Sequence, residues 1–235
     1  NEGFDDESLK GVSYLRSLNA LSEYTVLIHG IAYSDDDIRQ IALNKANHVW
    51  CPISNYFMFK KTSRIKEIRE AGINISIGTD SPMSGGINLL EEMRFAKNIY
   101  KEMYGEEIED KFLVEATTIN PAKAFRISDI TGSIEPGKFA DLLIIKDTDK
   151  DPYFSLIQAK LADIILVIYK GMPVYGDERV ESLFKVLKIP YKRVIIDKAK
   201  KLLIEGKNYP DLKELVERIK YNVGYEKYLP FIPVS

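Results

Sequence analysis

Short apolar segments alternate with helical patterns between residues 24 and 104, and this alternation restricts the fold more than any other feature of the sequence. The apolar segments read "YTVLIHG" (24–30), "HVWC" (48–51) and "INISIG" (73–78). Segments that are apolar on both faces are typical of parallel strands covered by helices. The sequence therefore predicts an α/β fold built on a parallel sheet.

The spacing of these strands fits two architectures. Each strand plus its helix takes about 30 residues in a (β/α)8 barrel. A doubly wound sheet has the same rhythm, so the spacing does not choose between them. Both architectures bind ligands at the carboxyl ends of their strands. His29, the pair Ser54-Asn55 and Asp80 lie at or just past such ends, which predicts a site there.

The pattern changes after residue 105, and we expect three parts at 1–130, 131–176 and 177–235. The middle part carries a strand after a Pro-Gly turn and a hairpin in "DIILVIYKGMPVYG", which together predict a small β layer. The last part is predicted to be a helical extension, mainly through "KRVIIDKAKKLLIEG" and "DLKELVERIKY".

Composition excludes several classes of partner. The formal net charge of −2 gives no electrostatic reason to expect a nucleic acid. No apolar run approaches the roughly 18 residues of a membrane span. The single cysteine, Cys51, cannot form an internal disulfide and fits a reducing compartment, so we expect a cytoplasmic protein.

Each candidate residue has a purely structural interpretation as well. Asp80 is either a cap of the loop after its strand or a carboxylate that holds a metal ion. His29 is either a satisfied histidine at a strand end or a group of the site. His48 begins its strand and is interpreted as structural. Cys51 is interpreted as a small buried hydrophobe, since no second histidine is placed to activate it.

Five segments in order resemble the amidohydrolase superfamily of metal-dependent hydrolases, and above all its cytosine deaminase, chlorohydrolase and adenosine-type deaminase branch. They are "VLIHGI", "CPISN", "IGTDSP…NLLEEMRFA", "ATTINPAKAF" and "GSIEPGKFADLLII", and the resemblance runs over residues 1–176. It implies the C-terminal portion of a (β/α)8 barrel, with strands 6–8 and the following helices in residues 1–130. It also implies part of a composite β-sandwich in 131–176.

The resemblance also implies the site. The family holds a divalent metal, most often zinc and in other cases iron or manganese, through a His-x-His, a further histidine and an aspartate. Asp80 resembles that aspartate, which binds the metal and takes a proton from the attacking water. His29 resembles the histidine that hydrogen-bonds the metal-bound hydroxide or the substrate. Glu2 resembles the general acid, although a disordered terminal residue is a serious rival interpretation, and Asn55 sits where the family places a substrate-facing polar group.

The departures from the family are equally informative. The only histidines are His29 and His48, and there is no His-x-His. The chain therefore resembles the C-terminal half of an amidohydrolase, an incomplete fragment that binds metal weakly or not at all by itself and lacks activity. We expect it to associate with itself or with the missing N-terminal half.

For the parent protein, the resemblance implies hydrolysis of a C–N bond in a cyclic or aromatic amine by metal-bound hydroxide. Two alternatives stand: a ring-opening amidohydrolase of the imidazolonepropionase kind, and a degenerate truncated relative without catalytic activity.

Overall fold

The computed structural model describes residues 10–149, 151–206 and 212–223, which divide into two compact units. The first unit contains the described residues up to Lys138 together with Leu156–Gln158. The second contains Phe139–Ser155 and the described residues from Ala159 onward. Each unit has its own sheet. The strands of the first sheet pair in parallel, and those of the second pair antiparallel.

The first unit is built on three short parallel strands in the order β1-β2-β3. They are β1 (Val26–Ile28), β2 (Asn47–Trp50) and β3 (Ile75–Ile77). β1 and β3 lie within their predicted apolar segments, and β2 begins one residue before its segment. The helices described in this unit are α1 (Gly11–Ser17), α2 (Asp35–Leu43), α3 (Pro52–Phe59), α4 (Ile65–Glu70), α5 (Leu89–Tyr104), α6 (Asp110–Glu115) and α7 (Ile119–Ala124). The predicted α/β class with a parallel sheet is confirmed.

Local signals fix the ends of the longer helices. Ser34 and Asp37 form a reciprocal capping box at the start of α2. The Asn88 side chain accepts the N–H of Glu91 at the start of α5, and Gly105 ends that helix with φ 68°. Helix α3 is an element that the sequence analysis did not predict. Proline is favoured at the first position of a helix, and Pro52 occupies that position here.

The two outer edges of the parallel sheet differ. On β3, the N–H of Ile77 donates to Ala116 O at 2.8 Å, and the Asn120 side chain donates to Ile75 O at 3.0 Å. The residues from Ala116 to Asn120, at the junction of α6 and α7, therefore cover this edge. No other described strand pairs with the outer edge of β1, and Ile28 on that strand is 57% exposed.

His48 lies in the core of this unit, as the structural interpretation predicted. Its side chain is fully buried, and its ring meets the edge of the Tyr33 ring at a centroid distance of 5.7 Å. Both imidazole nitrogens are without a hydrogen-bond partner. Burial, with a smaller contribution from His29, lowers the pKa of His48 to about 3, so its imidazole is neutral at physiological pH.

The second unit is an antiparallel sheet in the order β4-β5-β6-β8-β7. Its strands are β4 (Leu142–Ile145), β5 (Ile164–Tyr169), β6 (Met172–Asp177), β7 (Tyr191–Ile196) and β8 (Ala199–Ile204). The helices are α8 (Pro152–Gln158), whose last three residues are grouped with the first unit, α9 (Glu181–Val186) and α10 (Leu212–Val223). The predicted hairpin turns at Lys170-Gly171, where both residues have positive φ.

The helical extension predicted for 177–235 is wrong over "KRVIIDKAKKLLIEG", which forms the β7–β8 hairpin. Asp197 and Lys198 both have positive φ, which is the geometry of a two-residue hairpin turn. The β-branched run Val194–Ile196 favours a strand, and β8 pairs with β6, so this hairpin extends the predicted β layer. Lys201 on β8 is fully buried, and its ammonium donates to Ala162 O, Ile164 O and the Asp177 carboxylate.

No helix in the described part of the chain is both long and apolar enough to cross a membrane.

Candidate active site

Polar side chains gather at the carboxyl ends of the three parallel strands. His29 follows β1 and Asp80 follows β3, and both have a left-handed backbone, with φ values of 71° and 56°. Such a conformation is uncommon for residues other than glycine, and it is found more often at functional sites. The backbone N–H of His29 still donates to Val49 O on β2 at 3.0 Å, so the turn begins immediately after the strand pairing ends.

Helix α3 joins these two strand ends through consecutive residues. The Ser54 hydroxyl donates to Asp80 Oδ2 at 2.5 Å, and the Asn55 amide oxygen lies 2.8 Å from His29 Nδ1. Ser84 adds a second hydroxyl, which lies 3.2 Å from Asp80 Oδ2 and 3.1 Å from Ser54 Oγ. The structure therefore brings His29, Ser54, Asn55 and Asp80, which the sequence placed at strand ends, into one network. Ser84 is a further member that the sequence analysis did not name.

The orientation of Asn55 determines which nitrogen of His29 carries a proton. The Asn55 Nδ2 group lies 3.3 Å from both Thr62 Oγ1 and Ser63 Oγ and 3.5 Å from His29 O. The carbonyl oxygen at 3.5 Å can only accept, so the amide nitrogen belongs on that side and Oδ1 faces the imidazole. In neutral His29 the proton is then on Nδ1, and Nε2 keeps a lone pair for a ligand.

The residues of this network differ in burial, and only the more exposed ones are accessible to a ligand. Ser54 and Asn55 are fully buried, whereas His29 is half-buried and Asp80 is exposed. The hydrogen bond from Ser54 is the main cause that lowers the pKa of Asp80, and Ser84 and His29 act in the same direction. Asp80 is consequently an anion at neutral pH, with its side chain open to solvent.

Cys51 lies beside this network and fits the prediction of a small buried hydrophobe. It is buried, and burial followed by the charges of Asp80 and Glu92 raises the pKa of its thiol to about 12. A thiol with that pKa is not a thiolate at neutral pH, and the thiolate is the nucleophilic form.

The donor set for a metal ion is incomplete within the part of the chain that the structure describes. No group of three or more His, Cys, Asp or Glu side chains in that part could hold a metal ion. Asp80 by itself has the properties of one ligand, because it is anionic and exposed and lies at a strand end. Glu2, predicted as the general acid, lies outside the described residues.

One more buried acid accompanies the site and was missed by the sequence analysis. Glu92 on α5 is fully buried. A signal for it was present in the sequence, because Glu92 precedes Ala96 and Tyr100 at a spacing of four, and such residues share one face of a helix. Ala96 and Tyr100 are both buried.

The fold is an α/β fold that carries a network of polar side chains at the carboxyl ends of its parallel strands. A family model described as "Amidohydrolase family" matches residues 2–176. The chain belongs to this amidohydrolase family.

Two curated relatives match most of this chain. A 5-methylthioadenosine/S-adenosylhomocysteine deaminase of Thermoanaerobacter pseudethanolicus is 30% identical over 215 residues, which cover 87% of this chain and 49% of the relative. A protein of the same name from Caldanaerobacter subterraneus is 29% identical over 210 residues, covering 83% and 46%. The chain thus spans about half the length of these relatives.

Solved structures share the fold. An adenosine deaminase from Xanthomonas campestris with bound zinc has a TM-score of 0.65 and 24% identity, covering 68% of this chain and 39% of that protein. An atrazine chlorohydrolase from Arthrobacter aurescens TC1 complexed with zinc has a TM-score of 0.64 and 21% identity, covering 80% and 47%. Guanine deaminase of E. coli has a TM-score of 0.62 and 18% identity, covering 69% and 41%.

The network predicts how Asp80 titrates when Ser54 is changed. Ser54→Ala removes the shortest hydrogen bond to the carboxylate, so we expect the pKa of Asp80 to rise. The matched control is Ser76→Ala, since Ser76 is also buried and its hydroxyl has no partner. Carboxyl 13C NMR titration measures the pKa of Asp80 in both variants. An unchanged pKa of Asp80 in Ser54→Ala would show that the hydrogen bond does not stabilise this anion.

Proposed function

We propose that the protein to which this chain contributes hydrolyses a C–N bond in a cyclic or aromatic amine, as a deaminase of the adenosine type. The observation that carries the proposal is the single network from His29 through Asn55 and Ser54 to Asp80, at the strand ends of an amidohydrolase fold. The names of the deaminase relatives support the choice of substrate class.

We also propose that the first unit is the C-terminal portion of a (β/α)8 barrel, with β1, β2 and β3 as its strands 6, 7 and 8. The parallel order of the strands supports this interpretation. The coverage of the solved relatives supports it as well, since the chain aligns with less than half of each. The unpaired edge of β1 is then the place where the preceding barrel strand adds to the sheet.

Asp80, His29 and Glu2 have different roles in the proposed reaction. A divalent metal, zinc by preference, would be held by Asp80 together with ligands from the rest of the protein, and it would make a bound water more acidic. Asp80 accepts the proton of the attacking water, because its carboxylate is anionic and exposed. His29 presents Nε2 toward the reacting oxygen. Glu2 remains the proposed general acid that delivers a proton to nitrogen.

Asn55 takes a different role from the substrate contact that the family resemblance implied. Its side chain is fully buried, and the contacts described for it go to His29, Thr62 and Ser63. An amide engaged in this way is not free to bind substrate. We assign it the role of holding the His29 ring and fixing the proton on Nδ1.

The activity test uses the complete protein proposed above, in which this chain is combined with an N-terminal half of the barrel. In that protein Asp80→Asn and His29→Asn are expected to lower kcat/KM for ammonia release from an adenosine-type nucleoside by about 10²–10⁴-fold. Asparagine is chosen because it tolerates the left-handed backbone of both positions. His48→Leu is the control, because His48 is buried in the core, and it should keep nearly full activity at pH 7.

Each alternative gives its own result in this assay. Hydrolysis of a cyclic amide without ammonia release would favour the ring-opening reaction. A complete protein with no hydrolytic activity toward either substrate class would favour the degenerate relative. Full activity in Asp80→Asn would contradict the role given to this carboxylate.

We propose further that the chain by itself binds metal weakly. We also propose that it associates through the outer edge of β1, with which no other described strand pairs. Unpaired strand edges promote pairing with another chain, and a charged residue on the edge opposes it. Ile28→Lys should therefore shift the chain toward monomer in sedimentation velocity. Ile134→Lys is the control, since Ile134 is 87% exposed and lies outside any described strand. A wild-type chain that is monomeric at all concentrations would overturn the association.

A further inference from the structure

Glu92 is a carboxyl group whose two oxygens bind two different segments of the backbone. Its side chain on α5 is fully buried. Oε1 accepts the N–H of Gly86 at 2.7 Å, and Oε2 accepts the N–H of Ile53 at 3.1 Å. Glutamate is rarely fully buried unless its oxygens are paired, and here the pairing is with two N–H groups far apart in sequence.

These two N–H groups belong to the segments that carry the site. Gly86 lies in the loop that follows β3, and this loop also contains Asp80 and Ser84. Ile53 is the second residue of α3 and directly precedes Ser54. The N–H groups of the first turn of a helix have no partner within the helix, so an acceptor from outside is needed and a carboxylate suits it best.

The loop is shaped for this contact. A Cβ atom added at Gly86 would lie 2.9 Å from Glu92 Oε1 and 2.9 Å from Ile53 Cδ1, closer than side chains normally approach. A Cβ atom added at Gly85 would lie 1.7 Å from Thr79 O. Gly86 therefore allows the loop to pass close to the carboxylate and to α3, whereas Gly85 allows the loop to fold back against Thr79.

Burying a carboxylate at this position costs free energy of desolvation. Burial raises the pKa of Glu92 to about 7, even though the N–H groups of Gly86 and Ile53 favour the anion. An apolar side chain would fill the same volume on the inner face of α5 without that cost, but it would leave the N–H groups of Gly86 and Ile53 without this acceptor.

We infer that Glu92 is a positioning residue of the site: it fastens the loop 80–86 to the first turn of α3, so that Ser54 meets Asp80 while Asn55 meets His29. Its relevance to catalysis rests on the proposed function, but its effect on the geometry can be measured without activity. Glu92 does not touch the reacting groups itself. It acts through Ser54 and through the loop that carries Asp80.

The test compares Glu92→Gln with Glu91→Gln. Glutamine keeps one acceptor oxygen and turns an NH2 group toward the other N–H, so one of the two bonds is lost. Glu91 is the matched control, because it lies on the same helix and accepts the N–H of the next loop residue, Ile87, at 2.9 Å. The chain has two histidines, so its imidazole Cε1–H NMR signals give one reporter in the site, His29, and one in the core, His48.

We expect Glu92→Gln to shift the His29 signal and the amide signals of Ile53 and Gly86, while the His48 signal stays in place and shows an intact core. Glu91→Gln should leave His29 unchanged. If Glu92→Gln does not fold, Gly86→Ala provides the same test. The methyl group that this substitution adds would push the loop away from the Glu92 carboxylate. An unmoved His29 signal in the folded variant, or an equal shift in Glu91→Gln, would overturn the inference.

Activity adds a second measurement that separates this inference from the proposed function. In the complete protein Glu92→Gln should lower kcat on the order of tenfold to a hundredfold with little change in KM, since a displaced catalytic group slows the chemical step. Unchanged kcat in an active enzyme would overturn the positioning role. A wild-type protein that releases no ammonia, while Glu92→Gln still shifts His29, would contradict the proposed function and leave the geometric role standing.

Discussion

The parallel pairing of β1, β2 and β3 is the constraint on which the site depends. Since the three strands run in the same direction, their carboxyl ends lie at one edge of the sheet. Helix α3 starts directly after the central strand, so it faces the ends of both neighbours. Consecutive side chains on a helix point in different directions, which lets Ser54 bond to Asp80 and Asn55 bond to His29.

Much of this arrangement could be predicted from the sequence, because short apolar runs followed by a lone polar residue are a strong signal for parallel strands. That signal placed His29 and Asp80 correctly at strand ends. Helix α3 was missed because eight residues that begin with Pro52 are too few to show a clear amphipathic period. Glu92 was missed because a charged residue is assigned by default to the solvent face, and its two N–H partners become visible only in three dimensions.

The β7–β8 hairpin shows a different limit of sequence patterns. The run "VIIDKAKKLLI" has apolar residues that fit a helical period as well as a strand period, and lysine favours helices. Pairing of β8 with β6 determines the outcome, together with the burial of Lys201 against two carbonyl oxygens and Asp177. Such long-range pairing overrides local propensity in many strands.

The described residues supply an anion, an oriented imidazole and the hydroxyl groups that hold the anion in place. Under the proposed function, these groups are part of a hydrolytic centre that the rest of the protein completes. The most direct measurement is a crystal structure of the complete protein with its divalent metal, located by anomalous scattering. The account predicts a cation at about 2.0–2.2 Å from an Asp80 carboxylate oxygen, with the Ser54 hydroxyl still bonded to that carboxylate. A cation bound elsewhere, without the Asp80 carboxylate among its ligands, would contradict it.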